Sequence, residues 1–105
     1  MIVGIGCDLC KIERIDEKIA QKILTENEYN EFQNLSKTRQ KEWLAGRFAA
    51  KEAIIKATVI QTMKVIEIQT TSEGKPICLM DYYKINLSIS HDGEYAMAMV
   101  VAEDV

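Results

Sequence analysis

The chain has 105 residues, of which 48% are hydrophobic and 28% charged, and its formal net charge is −3. These proportions are those of a globular domain, so they exclude a disordered chain, and one Pro with five Gly excludes collagen-like material. We expect a single domain over residues 1–105, large enough to bury a core without disulfides but too small for a deep cleft of its own.

The N-terminal segment and the cysteines indicate a cytoplasmic protein. Asp8 interrupts the first apolar run, which is therefore too short for a signal-peptide core or a membrane span. The three cysteines are an odd number, whereas a secreted domain would usually pair them. We expect no membrane partner and no nucleic-acid partner.

The N-terminal region predicts a strand and then a helix. Residues 2–9 are mostly apolar and have the length of a strand buried on both faces. Gly4 and Gly6 within this strand indicate the close approach of another backbone. Isoleucines at helical spacing predict a helix over residues 11–24.

Two further helices are predicted in the middle of the chain. Thr25 and Glu28 have the spacing of a capping box, which would open a short helix to about residue 35. A third, longer helix is predicted from about residue 36 to about residue 57. Gly46 inside this helix costs about 1 kcal/mol relative to Ala, which predicts tight packing against the glycine-bearing first strand.

The second half of the chain changes to the period of β-strands. Its β-branched and alternating segments predict four strands with short turns, over residues 65–70, 77–80, 85–90 and 95–102. We therefore predict an α+β fold in which the helices pack on one face of a largely antiparallel sheet.

Positive charge is concentrated on the third predicted helix. Residues 36–56 carry six basic residues against two acidic ones, a local charge of +4, whereas residues 57–105 carry three against seven, a local charge of −4. The basic stretch is the place where we expect a phosphate or an acidic partner. The alternative is an ordinary solvated helix face.

Three charged residues are candidates for chemistry. Asp8 ends an apolar strand, where a carboxylate serves as a helix cap, as a charge partner or as a metal ligand. Glu52 and Lys56 have the spacing of an ordinary helical ion pair, worth about 0.2–0.5 kcal/mol. They could instead hold a hard cation and a phosphate, because Mg²⁺ usually binds one or two carboxylates together with substrate phosphates.

The cysteines and the one histidine allow a metal or redox interpretation. Cys7 and Cys10 form a Cys-x-x-Cys pair, and Cys78 and His91 would complete a Cys₃His zinc set. We predict instead that all three cysteines are buried free thiols without a catalytic role. His91 follows an alternating strand and is expected in a turn, either simply exposed or beside a phosphate.

Taken together, these segments resemble the holo-acyl-carrier-protein synthases, a family of phosphopantetheinyl transferases. The resemblance covers nearly the whole chain in the right order, and the second motif is the most specific. The matching segments are Gly4-Ile5-Gly6-Cys7-Asp8, Ile12-Glu13-Arg14-Ile15, residues 44–53 followed by Lys56, Gly74-Lys75-Pro76, and Leu87-Ser88-Ile89-Ser90-His91.

The resemblance implies an activity, a fold and an assembly. Members transfer the 4′-phosphopantetheine arm of coenzyme A to a serine of apo-acyl-carrier protein, in support of fatty acid biosynthesis. The second product is adenosine 3′,5′-bisphosphate. The implied structure is the phosphopantetheinyl-transferase-like α+β fold, assembled as a homotrimer with its sites between subunits.

The resemblance also implies roles for particular residues. Asp8 and Glu52 would bind Mg²⁺, and Lys56 would neutralise the phosphate under attack. These three would form the catalytic set, with Glu52 or a metal-bound water as the base that takes the serine proton. Arg14 would face the acidic carrier protein. Coenzyme A would be bound by Arg47, Lys56, Gly74, Lys75, Pro76, Ser90 and His91.

One segment departs from the family, and two other classes of function compete. Residues 57–63 are short and lack the Gly that is usual there, which affects the expected contacts to the pantetheine arm and the carrier protein. The competing functions are a non-catalytic carrier-protein or nucleotide-binding module and a small zinc domain.

Overall fold

The computed structural model of the protein describes residues 1–105, and it confirms the predicted α+β class. None of its helices combines the length and the apolar character that a membrane span requires. In chain order the elements are β1 (Ile2–Lys11), a 3₁₀ turn (Ile12–Arg14), α1 (Glu17–Ile23), α2 (Glu26–Gln33), α3 (Lys37–Ala57), a 3₁₀ turn (Met63–Val65), β2 (Gln69–Thr70), β3 (Pro76–Ile77), β4 (Tyr83–Asp92) and β5 (Tyr95–Asp104).

The long strands form one antiparallel sheet, and α3 packs on one face of it. The strand order is β1-β5-β4, so the last strand of the chain lies in the centre. Every second residue of β5 is a small side chain buried against α3: Ala96, Ala98, Val100 and Ala102. The two other predicted strands are reduced to the two-residue strands β2 and β3, which pair with each other in a separate hairpin.

The glycines of β1 allow α3 to lie directly on the strand. A Cβ atom on Gly4 or Gly6 would lie 1.9 Å from the carbonyl oxygen of Ala57 or Ala53, respectively. The predicted close backbone approach is therefore confirmed. The predicted partner of Gly46 was wrong, because a Cβ atom on Gly46 would lie 3.1 Å from the Ile89 side chain of β4 and would not meet β1.

The prediction that β1 is buried on both faces was also wrong. No helix covers the outer face of the sheet, and Ile5, Leu9 and Met99 there are 67%, 66% and 53% exposed. Cys7 lies on this outer face, opposite Met99, and is exposed. The prediction of three buried thiols therefore fails at Cys7.

The other two cysteines are buried free thiols, as predicted. Burial raises the pKa of the Cys10 thiol, and it raises the pKa of Cys78 to about 11. Both thiols are thus protonated near neutral pH, in the form that does not act as a nucleophile or metal ligand. No group of three or more His, Cys, Asp or Glu side chains comes close enough to hold a metal.

The first predicted helix is shorter than its periodicity indicates. Residues 12–14 form only a 3₁₀ turn, and α1 begins after Asp16, whose side chain accepts a hydrogen bond from the Lys18 amide at 3.0 Å. The second helix begins as predicted, because Thr25 and Glu28 form a reciprocal capping box.

A buried ion pair joins α3 to the preceding helices and to the segment before β2. Lys51 Nζ donates to Glu28 Oε1 at 2.5 Å, to the Ile23 carbonyl at 2.6 Å and to the Met63 carbonyl at 3.2 Å. The other carboxylate oxygen of Glu28 accepts from the Ile68 amide at 2.8 Å. Burial lowers the pKa of Lys51, and the hydrogen bond to Glu28 opposes that shift. This part of the basic stretch is therefore a core element and not a solvated face.

Candidate active site

Asp8 and Lys56 meet between β1 and the last turn of α3. Asp8 lies on the face of β1 that packs against the helix, and its side chain is 17% exposed. Lys56 Nζ is 3.3 Å from Asp8 Oδ1 and donates to the Cys7 carbonyl at 2.9 Å. Asp8 is thus a charge partner in the free protein, and Asp16 is the residue that caps α1.

Glu52 lies on α3 one turn before Lys56 and is half-buried. The helical ion pair expected between these two residues is replaced by the pair between Lys56 and Asp8. The residue after Glu52, Ala53, contacts β1 at Gly6, so Glu52 lies beside the strand that carries Asp8. Two carboxylates are too few for an all-protein metal cage, but they suit Mg²⁺, which takes its remaining oxygen ligands from substrate phosphates and water.

A cavity of about 280 Å³ lies on another side of α3, between α2, β3 and β4. It brings together four of the residues predicted to bind coenzyme A, namely Arg47, Gly74, Pro76 and His91. Arg39 also lines the cavity, although the sequence analysis assigned it no role. Its place in the basic stretch was the only signal for it.

Arg47 forms part of the cavity wall and is held from several sides. Its side chain is 7% exposed, with the guanidinium carbon 4.5 Å from the centre of the Trp43 ring. Nη2 donates to the Thr70 hydroxyl at 2.7 Å and is 4.0 Å from Glu31 Oε2, while Nε is buried without a partner. Burial lowers the pKa of Arg47, an effect that the Glu31 carboxylate opposes, and the guanidinium stays charged.

Of the residues predicted to bind coenzyme A, Gly74 and His91 line the cavity, whereas Lys75 and Ser90 do not. Gly74 has a φ of +86°, which glycine adopts at no steric cost, and it forms the β2–β3 turn. Lys75 is exposed on the next position of this turn. His91 lies near the end of β4 rather than in a turn, 3.2 Å from Glu42. Ser90 projects to the outer face, because adjacent strand residues alternate.

Arg14 lies at the end of the first 3₁₀ turn and is exposed. It lines neither the Arg47 cavity nor the contact between Asp8 and Lys56. It lines a shallow cleft of about 440 Å³ in which Lys37 and Lys41 of α3 face it. Glu13, Asp16 and Glu17 line the same cleft, so basic and acidic side chains are mixed around Arg14.

The carboxylate pair and the cavity do not form one continuous site within a single chain. Arg47 and Lys56 are nine positions apart on α3, which places them about half a turn around the helix and roughly 14 Å along it. Lys56 contacts β1 and the cavity contacts β4, and these strands are the opposite edges of the sheet.

The comparisons with known proteins agree with the sequence resemblance. The sequence profile of the 4′-phosphopantetheinyl transferase superfamily matches residues 4–100. The chain is 42% identical to the holo-[acyl-carrier-protein] synthase of Bacillus cereus over 117 residues, covering 100% of this chain and 98% of the relative. It is 44% identical to the synthase of Anoxybacillus flavithermus, covering 98% of this chain and 97% of the relative.

A solved structure shows the same fold. The crystal structure of a holo-(acyl-carrier-protein) synthase from Bacillus anthracis in complex with CoA (3',5'-ADP) superposes with a TM-score of 0.92. The two sequences are 42% identical, and the alignment covers 100% of this chain and 99% of the other. A match of this extent in both sequence and fold assigns the family: the chain belongs to the 4′-phosphopantetheinyl transferase superfamily.

Proposed function

We propose that this protein is a holo-acyl-carrier-protein synthase acting as one catalytic domain over residues 1–105. It transfers the 4′-phosphopantetheine group of coenzyme A to a serine of apo-acyl-carrier protein and releases adenosine 3′,5′-bisphosphate, in support of fatty acid biosynthesis. The full-length similarity to synthases carries the proposal, together with the contact between Lys56 and Asp8 at the predicted site. The three free thiols support a cytoplasmic location, which cell fractionation would test.

The site residues have the chemistry that this reaction needs. In the transfer, the serine oxygen bonds to the phosphorus next to pantetheine, and the bond from that phosphorus to the bisphosphate breaks. Such a step depends mainly on positioning and charge neutralisation. Lys56, with its side chain about half exposed, would hold a phosphate oxygen. Asp8 and Glu52 would hold Mg²⁺, which supplies Lewis-acid stabilisation of the pyrophosphate when bound.

Mass spectrometry of the carrier protein tests this function directly. After incubation of the protein with apo-acyl-carrier protein, coenzyme A and Mg²⁺, we expect the carrier to gain the mass of one phosphopantetheine group. Excess EDTA should prevent the gain, and a carrier whose acceptor serine is replaced by Ala should stay unmodified. A carrier that remains in the apo form with every component present would refute the proposed function. Full activity in EDTA would refute only the magnesium requirement.

We further propose that the active protein is a homotrimer whose sites lie between subunits. The uncovered outer face of the sheet is apolar along β1 and β5, where Ile5, Leu9 and Met99 are exposed. An apolar face of this kind is typical of an interface. The separation of the Asp8–Lys56 pair from the Arg47 cavity supports the same conclusion. In an assembly, one subunit can contribute the Asp8–Lys56 pair and its neighbour the Arg47 cavity.

Mixing two inactive variants tests the shared site. We expect a solution mass near three chains by light scattering. Asp8→Asn and Arg47→Ala should each be impaired alone, and mixed trimers should recover about a quarter of wild-type activity, because in a ring that fraction of random interfaces pairs an intact Asp8 with an intact Arg47. An active monomer, or no recovery after subunit exchange, would contradict a site shared between copies.

Arg14 is the residue that we propose for docking of the acidic carrier protein. Arg14→Glu should raise the KM for the carrier at least about tenfold, because one attraction becomes a repulsion in a complex steered by charge. Arg14→Gln should have an intermediate effect, and the KM for coenzyme A should not change. The KM for the carrier should also rise with added salt, which screens charges over about 8 Å at physiological ionic strength. Equal shifts in both KM values would contradict the docking role.

A further inference from the structure

We propose that Thr70 is a positioning residue for the nucleotide cavity. Its hydroxyl separates the Glu31 carboxylate from Arg47 and thereby holds Arg47 at the cavity wall with its charge available to a phosphate. This inference rests on the proposed function, in which Arg47 binds the bisphosphate part of coenzyme A. It concerns a residue of the short strand β2 for which the sequence contains no motif.

The Thr70 hydroxyl lies between Arg47 and Glu31 and forms a hydrogen bond with each. The Thr70 hydroxyl accepts a short hydrogen bond from Arg47 Nη2, at 2.7 Å, and donates its own proton to Glu31 Oε2, at 3.2 Å. Arg47 and Glu31 are themselves 4.0 Å apart, longer than a direct hydrogen bond. The Glu31 carboxylate therefore accepts a hydrogen bond from the Thr70 hydroxyl and none directly from the Arg47 guanidinium.

This separation matters because a carboxylate and an anionic ligand compete for the same donors. Arginine binds carboxylates and phosphates with the same fork of N–H groups. If Glu31 paired directly with Arg47, the guanidinium would be neutralised and its donors occupied. Thr70 accepts only from Nη2, and Nε is buried without a partner. Arg39 lines the same cavity, together with Glu31 and Glu42.

Trp43 gives the Arg47 guanidinium a second contact. The guanidinium carbon is 4.5 Å from the centre of the indole ring, within the range of a cation–π contact. The ring and the Thr70 hydroxyl together restrain the guanidinium. Loss of the Thr70 hydroxyl would therefore release Arg47 toward Glu31, which lies half-buried on α2.

Binding of adenosine 3′,5′-bisphosphate to the full-length protein, measured by calorimetry, tests the proposal. Thr70→Val keeps the side-chain shape and should raise the dissociation constant about tenfold. Thr70→Ser keeps the hydroxyl and should stay close to wild type. Glu31→Gln alone should have little effect. The double variant Thr70→Val/Glu31→Gln should recover most of the lost affinity, because a neutral amide in place of the Glu31 carboxylate cannot form an ion pair with Arg47.

Steady-state kinetics provide a readout that general destabilisation would not produce. Thr70→Val should raise the KM for coenzyme A and leave the KM for the carrier protein and the melting temperature nearly unchanged. In the calorimetric measurement the matched control is Thr62→Val, at an exposed threonine without a capping hydrogen bond. It should bind the bisphosphate like wild type, because the contacts expected for residues 57–63 are to the pantetheine arm and the carrier protein, which are absent from that measurement.

Three results would overturn the proposal: wild-type affinity in Thr70→Val, failure of Glu31→Gln to restore it, or an equal loss in Thr62→Val. Expected shifts in bisphosphate binding, in a protein that modifies no carrier, would support the role of Thr70 and refute the proposed transferase function instead.

Discussion

Replacing Asp8 with Asn should lower the rate of phosphopantetheine transfer about 10³-fold, since the metal and charge stabilisation that would be lost corresponds to several kcal/mol. Asn retains the size of the side chain and can still accept a hydrogen bond from Lys56, which lies 3.3 Å away. The fold should therefore survive while the negative charge that would hold Mg²⁺ is lost.

The measurement is the initial rate of carrier modification, compared with the melting temperature of each variant. Asp104→Asn is the matched control, because Asp104 also forms an ion pair, with the N-terminal amine at 3.0 Å, but is exposed and far from the site along β5. A rate for Asp8→Asn within tenfold of wild type would remove Asp8 from the catalytic set. A similar rate loss in both variants would indicate a general effect of charge.

Replacing Lys51 with Met should lower the free energy of unfolding by about 3–5 kcal/mol. Lys51 is fully buried and satisfies Glu28 together with the carbonyl groups of Ile23 and Met63. Met has a similar length but no donor, so the Glu28 charge and the carbonyl oxygens would remain buried without their partner. The melting temperature should fall by at least about 12 °C.

Urea denaturation at one fixed protomer concentration measures this effect, since self-association changes the apparent stability. Lys64→Met is the control: Lys64 Nζ also donates to a carbonyl, that of Gln21, at 2.6 Å, but is exposed, and its loss should cost about 1 kcal/mol or less. The double variant Lys51→Met/Glu28→Gln should recover part of the stability, because the neutral amide leaves no unpaired charge in the core and keeps an oxygen that can accept from the Thr25 or Ile68 amide. If the Lys51→Met variant lost no more unfolding free energy than the Lys64→Met variant, the buried pair of Lys51 and Glu28 would not be what joins α3 to the preceding helices.

The elements that the sequence predicted well are those whose signals are local. The capping box of Thr25 and Glu28 is confirmed because its two hydrogen bonds lie within one helical turn. The β4–β5 hairpin is confirmed because alternation and a Gly-containing turn are encoded side by side. The first helix was predicted too long, because the apolar period continues through residues 12–15 while the Asp16 cap begins α1 only afterwards.

The candidate site was predicted in part, through the resemblance to a family. That resemblance predicts Asp8, Glu52 and Lys56 as the catalytic set, and the structure places the first and last of them in contact. It also identified Arg47 and His91, which line one cavity. It contained no sign of Thr70, because a threonine on a two-residue strand has no spacing pattern that points to Arg47, 23 positions away.

The sequence by itself determined the α+β class and the family and predicted the residues of the candidate site, because periodicity, caps and motifs are properties of neighbouring residues. The tertiary structure decided which charges are buried. Within one basic stretch, Lys37 is exposed, Arg47 supports a cavity and Lys51 is fully buried. The difference arises from partners distant in sequence, such as Glu28 for Lys51, since burying a charge is favourable only where another part of the chain supplies the opposite charge and the hydrogen bonds.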